Sequence, residues 1–249
     1  MATLAHIWRH PIKSIGRQSL SAVDLFADAA LPLDRLWAVM HSAAKADGTI
    51  WADCANFVIG AKHPRLMAIN LDMDPAQPHI IRLTHPDQPD MHLNMDANPQ
   101  ALLDWIAPLM NPDKPAPAQV ISLGSRGVTD TDYPSVSLGN LATHRALEAQ
   151  AGCPIDIRRW RINLWVDGLD PWVEFDWTAP IAIGAARLQP IEPIRRCKAT
   201  TTNPDTGQRD LDTLSLLREH GHQDMGIYTR VLTGGKIALN DTIELPNAN

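Results

Sequence analysis

Apolar and polar residues alternate over Leu4-Ala5-His6-Ile7-Trp8, the period of two expected of a half-buried strand. Short apolar runs follow at Leu36–Met40, Leu66–Leu71 and Ile80–Leu83. Pro-Asp, Asp-Gly and Asp-Pro steps supply turns between them. Strands at this spacing predict a small barrel or sandwich over the first hundred residues, rather than βαβ units. The period changes between Pro99 and Met110, where Leu102, Leu103, Ile106 and Leu109 share one face of a predicted helix. Pro108, Pro112, Pro115 and Pro117 then interrupt the pattern. That stretch is the best junction, and it divides the chain into predicted domains 1–117 and 118–249.

In the second part Ser137 is expected to cap a helix that runs to Ala151 and stops at Gly152. Strands are expected at Ile162–Val166, Ile181–Ile183 and Ala186–Leu188. A second helix is expected from Leu211 to His220, ended by Gly221. The tail from Gly226 to Leu245 reads as two strands around Gly234-Gly235. The fold class is therefore mainly β with a few helices, an α+β protein with a barrel-like N-terminal domain.

Composition narrows the function classes. The chain has 249 residues, 45% of them hydrophobic, which is ample for a core. A net charge of −6 argues against general affinity for nucleic acid or an anionic membrane. No apolar run approaches the roughly 18 residues of a membrane span. The N-terminus does not read as a signal peptide. Three cysteines argue against a disulfide framework and for a reducing, cytoplasmic setting.

Any basic site must be local, and the most informative one is Pro193-Ile194-Arg195-Arg196-Cys197-Lys198. Flanking cations favour an ionised sulfur, which can attack a substrate or bind a soft metal. The turn sequence Asn203-Pro204-Asp205-Thr206-Gly207 places that sulfur at a strand end beside an exposed loop. The bland alternative is an inert packing cysteine, the expected role of Cys54 and Cys153. Two further segments fit the same chemistry. Arg158-Arg159-Trp160-Arg161-Ile162-Asn163 offers guanidinium forks and an amide, and His10-Pro11-Ile12-Lys13-Ser14 offers an ammonium and a hydroxyl. Each read alone is also consistent with a solvated charged face. Together they describe a pocket for an anionic, phosphate-bearing ligand with a soft metal. The ten histidines form no zinc motif, and no glycine-rich nucleotide loop is present.

At Pro11-Ile12-Lys13-Ser14, Asp34-Arg35-Leu36-Trp37 and Pro64-Arg65-Leu66, the chain resembles the MOSC superfamily with its N-terminal β-barrel domain. Trp160-Arg161-Ile162-Asn163, Glu174, Trp177, Ile183-Gly184 and Arg196-Cys197 with Pro204-Asp205-Thr206-Gly207 extend the resemblance over nearly the whole length. It is similar to the branch that includes the mitochondrial amidoxime-reducing component and bacterial proteins that detoxify N-hydroxylaminopurine. The resemblance implies a C-terminal MOSC β-barrel domain and a molybdenum cofactor between the two domains, with Cys197 as ligand to molybdenum. It implies cofactor contacts from Lys13, Ser14 and Arg35 on the barrel side, and from Arg161, Asn163, Arg195, Arg196 and Tyr228 on the other. The resemblance to this superfamily also implies pyridoxal phosphate binding.

The activity implied is reduction of N-hydroxylated compounds, with electrons from a separate ferredoxin-, flavodoxin- or cytochrome b5-like protein. Some relatives carry a four-cysteine ferredoxin-like domain that is missing from this sequence. The alternatives are a cofactor carrier or sulfur-transfer module without turnover, and a barrel that uses neither metal nor cysteine chemistry. Two departures from the family pattern stand near the expected site. His10 replaces a tyrosine, and Asp132-Tyr133-Pro134 replaces Thr-Ser-Pro.

Overall fold

Buried alternate positions pull β1 (Thr3–Arg9) into an eight-stranded sheet, where Leu4 and Ile7 are fully enclosed. A computed structural model describes residues 1–245; the last four residues of the predicted second domain lie outside them. The early strands continue with β2 (Gln18–Leu20), β3 (Ala22–Leu25), β4 (Trp37–His41), β5 (Asn70–Met73), β6 (Ile80–His85) and β7 (Gln88–Asn94). After helix α1 (Gln100–Ile106) come β8 (Pro117–Ser122) and β9 (Val136–Asn140), then helix α2 (Leu141–Ala151). β10 (Leu164–Asp167), β11 (Ile181–Ile183), β12 (Ala186–Arg195) and helix α3 (Thr213–Arg218) follow. β13 (Asp224–Thr233), β14 (Gly235–Ala238) and β15 (Ile243–Glu244) close the order. The fold is mainly strands with a few helices, an α+β fold, as the sequence pattern predicts.

The large sheet runs β15-β11-β12-β13-β9-β10-β1-β2. β9 is parallel to β10 and antiparallel to β13, so α2 forms the crossover of one βαβ unit. Two smaller pairings, β4 with β8 and β5-β6-β7, wrap a separate core of Ile12, Ile15, Val39, Leu66 and Ile69 with Leu102 and Ile106 of α1. Strand β8 follows the proline run and pairs backwards with β4. β1 and β2 join the sheet of the second part, and β3 pairs with β14. Strand pairing thus crosses position 117 in both directions.

Two local expectations need correction. Ser137 does not cap α2. It lies inside β9, and Asn140 caps the helix by accepting from Ala142 N at 2.9 Å. Every residue of β9 is buried, so no polar break marks its end. The run Leu66–Leu71 is not one strand: Pro64 starts a 3₁₀ turn, Pro64–Ala68, and the ladder begins only at Asn70. Proline's fixed φ favours that turn, and a short apolar run has no period to reveal it. Strands β2 and β7 carry few apolar residues, β3 has only four residues, and β8 starts at the last proline of the run, so none of them stands out.

Gly226 is the position where β13 depends on glycine. Its φ is +73°, and a Cβ there would lie 2.5 Å from Leu138 O and 2.9 Å from Ile162 Cδ1. Gly152, with φ +68°, has nothing within 4 Å. We expect Gly226→Ala to destabilise by about 3 kcal/mol or more, from strain plus overpacking. Gly152→Ala should cost only about 1 kcal/mol. Urea unfolding of the two variants checks the contrast, and equal losses would refute it.

Candidate functional site

A cleft of about 450 Å³ opens between the small core and the large sheet. Lys13, Ser14 and Arg35 line it from the first part, joined by Cys54 and the segment Ile59-Gly60-Ala61. Asp130, Asp132, Arg161, Arg195, Arg196, Cys197 and Tyr228 line it from the second. The expected residues therefore converge, with one exception. Asn163 lies behind the cleft wall at 1% exposure.

Asn163 is occupied in holding strands together. Its Oδ1 accepts from Ser137 N at 3.1 Å and Ser137 Oγ at 2.8 Å, and its Nδ2 donates to Trp8 O at 3.1 Å. It also accepts from Arg35 Nη1 at 3.4 Å. Its amide thus fixes one arginine of the cleft from behind.

Beneath the arginines sits Asp34, whose side chain has no exposed surface. Its Oδ1 accepts from the backbone N of His10 at 2.6 Å, and its Oδ2 accepts from Arg35 Nη1. Arg35 Nη2 then donates to Arg161 O at 3.0 Å. Arg161 reaches back, donating to Gly16 O at 2.9 Å and Ile12 O at 3.3 Å. Each arginine is thus anchored on the opposite half of the molecule. Ser14, Arg35 and Arg161 all adopt positive φ, at 62°, 47° and 51°. Non-glycine residues in that region cost of order 1–3 kcal/mol each and cluster at functional sites.

Electrostatics follows from this geometry. Burial opposes ionisation of Asp34, yet Arg35 and the hydrogen bonds outweigh it and hold the carboxyl far below its usual range. Burial, Arg161 and Arg35 together keep His10 neutral. Its Nδ1, 3.3 Å from Arg35 Nη1, is therefore an acceptor rather than half of an ion pair with Asp34. Burial and the neighbouring Arg35 and Arg17 bring Arg161 down to about 9, still cationic at neutral pH. Arg196 is lowered to about 10, chiefly by burial. It donates to Met225 O at 2.9 Å and Trp160 O at 2.8 Å, carbonyls that offer no balancing charge. Burial and Asp130 raise the Tyr228 phenol well above its ordinary value, so it presents a protonated hydroxyl.

Lys13 is buried, and its ammonium meets Val128 O at 3.1 Å, Thr129 O at 3.4 Å and the Asp130 carboxylate. Burial opposes ionisation of Asp130, but Lys13, Arg35 and Arg161 prevail and hold it at about 2. Sequence reasoning missed Asp34, Asp130 and Cys54. Asp34 stood beside Arg35 in a segment already singled out, whereas nothing in the sequence around Cys54 signals the cleft.

Cys197 lies two residues past the end of β12 and caps the 3₁₀ turn Lys198–Thr201. Its surface is open to the cleft, as a reactive or metal-binding sulfur requires. The expectation of a cation-stabilised thiolate fails, however. Burial against surrounding protein pushes the thiol up, and Asp130 and Cys54 add to the rise. The Ala199 N–H and Arg196 oppose it without prevailing. Cys54, expected to be a packing residue, is exposed and lines the same cleft.

The model of the MOSC N-terminal beta barrel domain matches residues 1–108, and that of the MOSC domain matches residues 130–244. A mitochondrial amidoxime-reducing component 1 of Xenopus laevis is 24% identical over 127 residues, 49% of this chain. The match spans only 37% of that protein. Two solved structures are similar at lower levels. The YUAD protein of Bacillus subtilis is 12% identical, covering 98% of this chain and 94% of its own, with a TM-score of 0.46. YiiM of Geobacillus stearothermophilus is 20% identical, covering 45% of this chain and 54% of its own, at 0.34. Both are too distant to inform the site.

Two outcomes follow from the electrostatics. Asp34→Asn should destabilise the protein by about 3–5 kcal/mol, because it leaves buried guanidinium charge without its counterion. The sign with pH is fixed by the lowered carboxyl. Its stabilisation is full above the unfolded value of about 4 and is lost as pH falls towards the native one. Unfolding between pH 3 and 7 should therefore be flatter in the variant, and parallel curves would count against the assignment. Metal-free Cys197 should also alkylate more slowly at pH 7 than an ordinary exposed thiol, gaining as pH rises.

Proposed function

We propose, for a chain that belongs to the MOSC domain family, that this cleft binds a molybdenum cofactor through Cys197 and that the loaded protein reduces N-hydroxylated compounds. One observation carries the reading: a cysteine open to a cleft whose half-buried arginines, Arg161 and Arg196, bond only to carbonyl oxygens among the described residues. Arg195 is exposed in the same cleft and has no side-chain partner among the described residues. Lys13 and five arginines face three carboxylates, Asp130, Asp132 and Glu192, so the lining has cationic charge to spare for a phosphate dianion. Soft sulfur beside phosphate-binding guanidinium is the donor set that such a cofactor requires.

Within this reading Cys197 is the protein ligand to the metal. Arg161, Arg195 and Arg196, with the Ser14 hydroxyl and the Tyr228 phenol, hold the anionic part. Arg35 contributes charge but is fixed by Asp34, and Asn163 acts from behind as a positioning residue. Lys13 contributes charge alone while its three donors rest on Val128, Thr129 and Asp130. The bound cofactor would supply two-electron removal of an oxygen atom. Electrons would come from a separate ferredoxin-, flavodoxin- or cytochrome b5-like donor. The raised thiol is compatible with this role, because coordination deprotonates a cysteine outright and releases its proton. The cleft gives pyridoxal phosphate no free amine for an imine, since its one lining lysine is Lys13.

The test is molybdenum and pterin content after expression in a host that makes the cofactor, beside Cys197→Ala. Wild type should carry metal, and the variant should carry about tenfold less or lower. The loaded protein with a chemical reductant should consume a hydroxylamine or amidoxime. Equal, negligible metal in both proteins would remove the reading. Bound metal without turnover under several donors would instead make the protein a cofactor carrier.

A further inference from the structure

One edge of the cleft gathers cations that have no countercharge. Arg195 lines the cleft and is exposed, and Lys198 is exposed between two lining residues, Cys197 and Ala199. Lys62 is half-buried and follows the lining residue Ala61. Arg209 is exposed, and its Nη2 donates to Ala61 O at 2.7 Å, beside Lys62. A Cβ built on Gly60 would sit 3.6 Å from Ala199 Cβ, so the segments that carry Lys62 and Lys198 meet. Lys62, Arg195, Lys198 and Arg209 therefore converge on the opening that exposes Cys197.

None of these four forms an ion pair among the described residues, because nearby carboxylates are engaged elsewhere. Asp205 and Asp210, on either side of Arg209, pair with Arg158 at 2.8 Å and with Arg159 at 2.7 Å. Asp130 pairs with Lys13. The other carboxylates that line the cleft are Asp132 and Glu192, and Glu192 accepts from the Tyr133 hydroxyl at 2.8 Å. The edge keeps an excess of positive charge on a chain whose net charge is −6. Such a patch draws an acidic partner to one place on a surface that otherwise repels it.

We propose that an acidic electron-transfer protein docks on this edge, with its carboxylates facing Lys62, Lys198 and Arg209. The inference rests on the reading of the cleft as a redox centre, which needs electrons from a second protein. Two successive encounters pass one electron each and oxidise two donor molecules. The two electrons and two protons from water convert N–OH to N–H and release water. A few flexible rim charges around an opening suit a brief encounter of this kind, fast to form and sensitive to salt. An anionic membrane carries the same sign of charge, but these cations edge a concave opening rather than cover a broad face.

The experiment measures binding of an acidic two-iron ferredoxin to the full chain, to the double variant Lys62→Glu/Lys198→Glu, and to Arg187→Glu as control. Arg187 is exposed at the opposite end of β12 from Arg195. Wild type and Arg187→Glu should bind alike at low salt. The double variant should bind about tenfold more weakly, and binding should vanish as salt rises to about 0.5 M. In the metal-loaded protein, turnover driven by ferredoxin should fall about tenfold in the double variant, whereas turnover driven by dithionite should not change. Equal ferredoxin binding by wild type and double variant would overturn the proposal. So would no binding by wild type, binding indifferent to salt, or attachment to phosphatidylserine vesicles in place of ferredoxin. Ferredoxin binding is measured without metal, so a chain that takes up no molybdenum removes the redox reading while the docking result is still decided.

Discussion

A carboxylate with no exposed surface holds the two halves of this molecule in register. Asp34 accepts from the His10 backbone and from Arg35, and Arg35 passes the connection to the Arg161 carbonyl. Arg161 returns it to Gly16 and Ile12. A buried ion pair is weak evidence for net stability, because desolvation offsets much of the attraction. It is stronger evidence for geometry, since any slip between the halves would strand a charge in a medium that cannot solvate it. The cost of three positive-φ residues is borne at the same place, at Ser14, Arg35 and Arg161.

That anchoring explains why the cleft remains cationic. Guanidinium groups packed side by side repel, and Arg35 and Arg17 lower Arg161 together with burial. The fold offsets this with backbone carbonyls and with carboxylates placed at the edge of the group. Carbonyl dipoles satisfy the N–H donors of Arg161 and Arg196 without cancelling their charge. Charge left uncancelled inside a concave, low-dielectric wall acts more strongly on an entering anion than charge on open surface. The arrangement therefore favours an anionic ligand even though the chain as a whole carries −6.

The fold was legible where one side of an element meets water. Alternation in β1 and the helical face of Leu102, Leu103 and Ile106 wrote their burial into the sequence. It failed at β9, where burial on every side erases the period and Ser137 resembles a cap. It failed again at β8, hidden behind prolines that read as a junction. The candidate site was legible as residue types at separate positions. Lys13, Arg35, Arg161 and Cys197 do meet. The role of Asn163 and the presence of Asp34, Asp130 and Cys54 depend on which face a side chain takes after the chain has crossed itself. Short-range pattern does not record that.

Cys197 shows the limit most sharply. Three cations adjoin it in sequence, but adjacency along the chain is not proximity in space. The strand ends at Arg195 and a 3₁₀ turn starts at Lys198, so the chain changes direction around Cys197 and its flanking cations diverge. Arg196 alone reaches the sulfur appreciably, and its donors are spent on Met225 and Trp160. Meanwhile Asp130, 67 positions away (197 minus 130), contributes the opposite sign. A thiol placed this way gains little from being ionised alone. It gains much when a metal centre completes it, because coordination exchanges the proton for a bond. The chemistry of the cleft thus rests on what joins the sulfur, with the surrounding arginines left free to hold an anion.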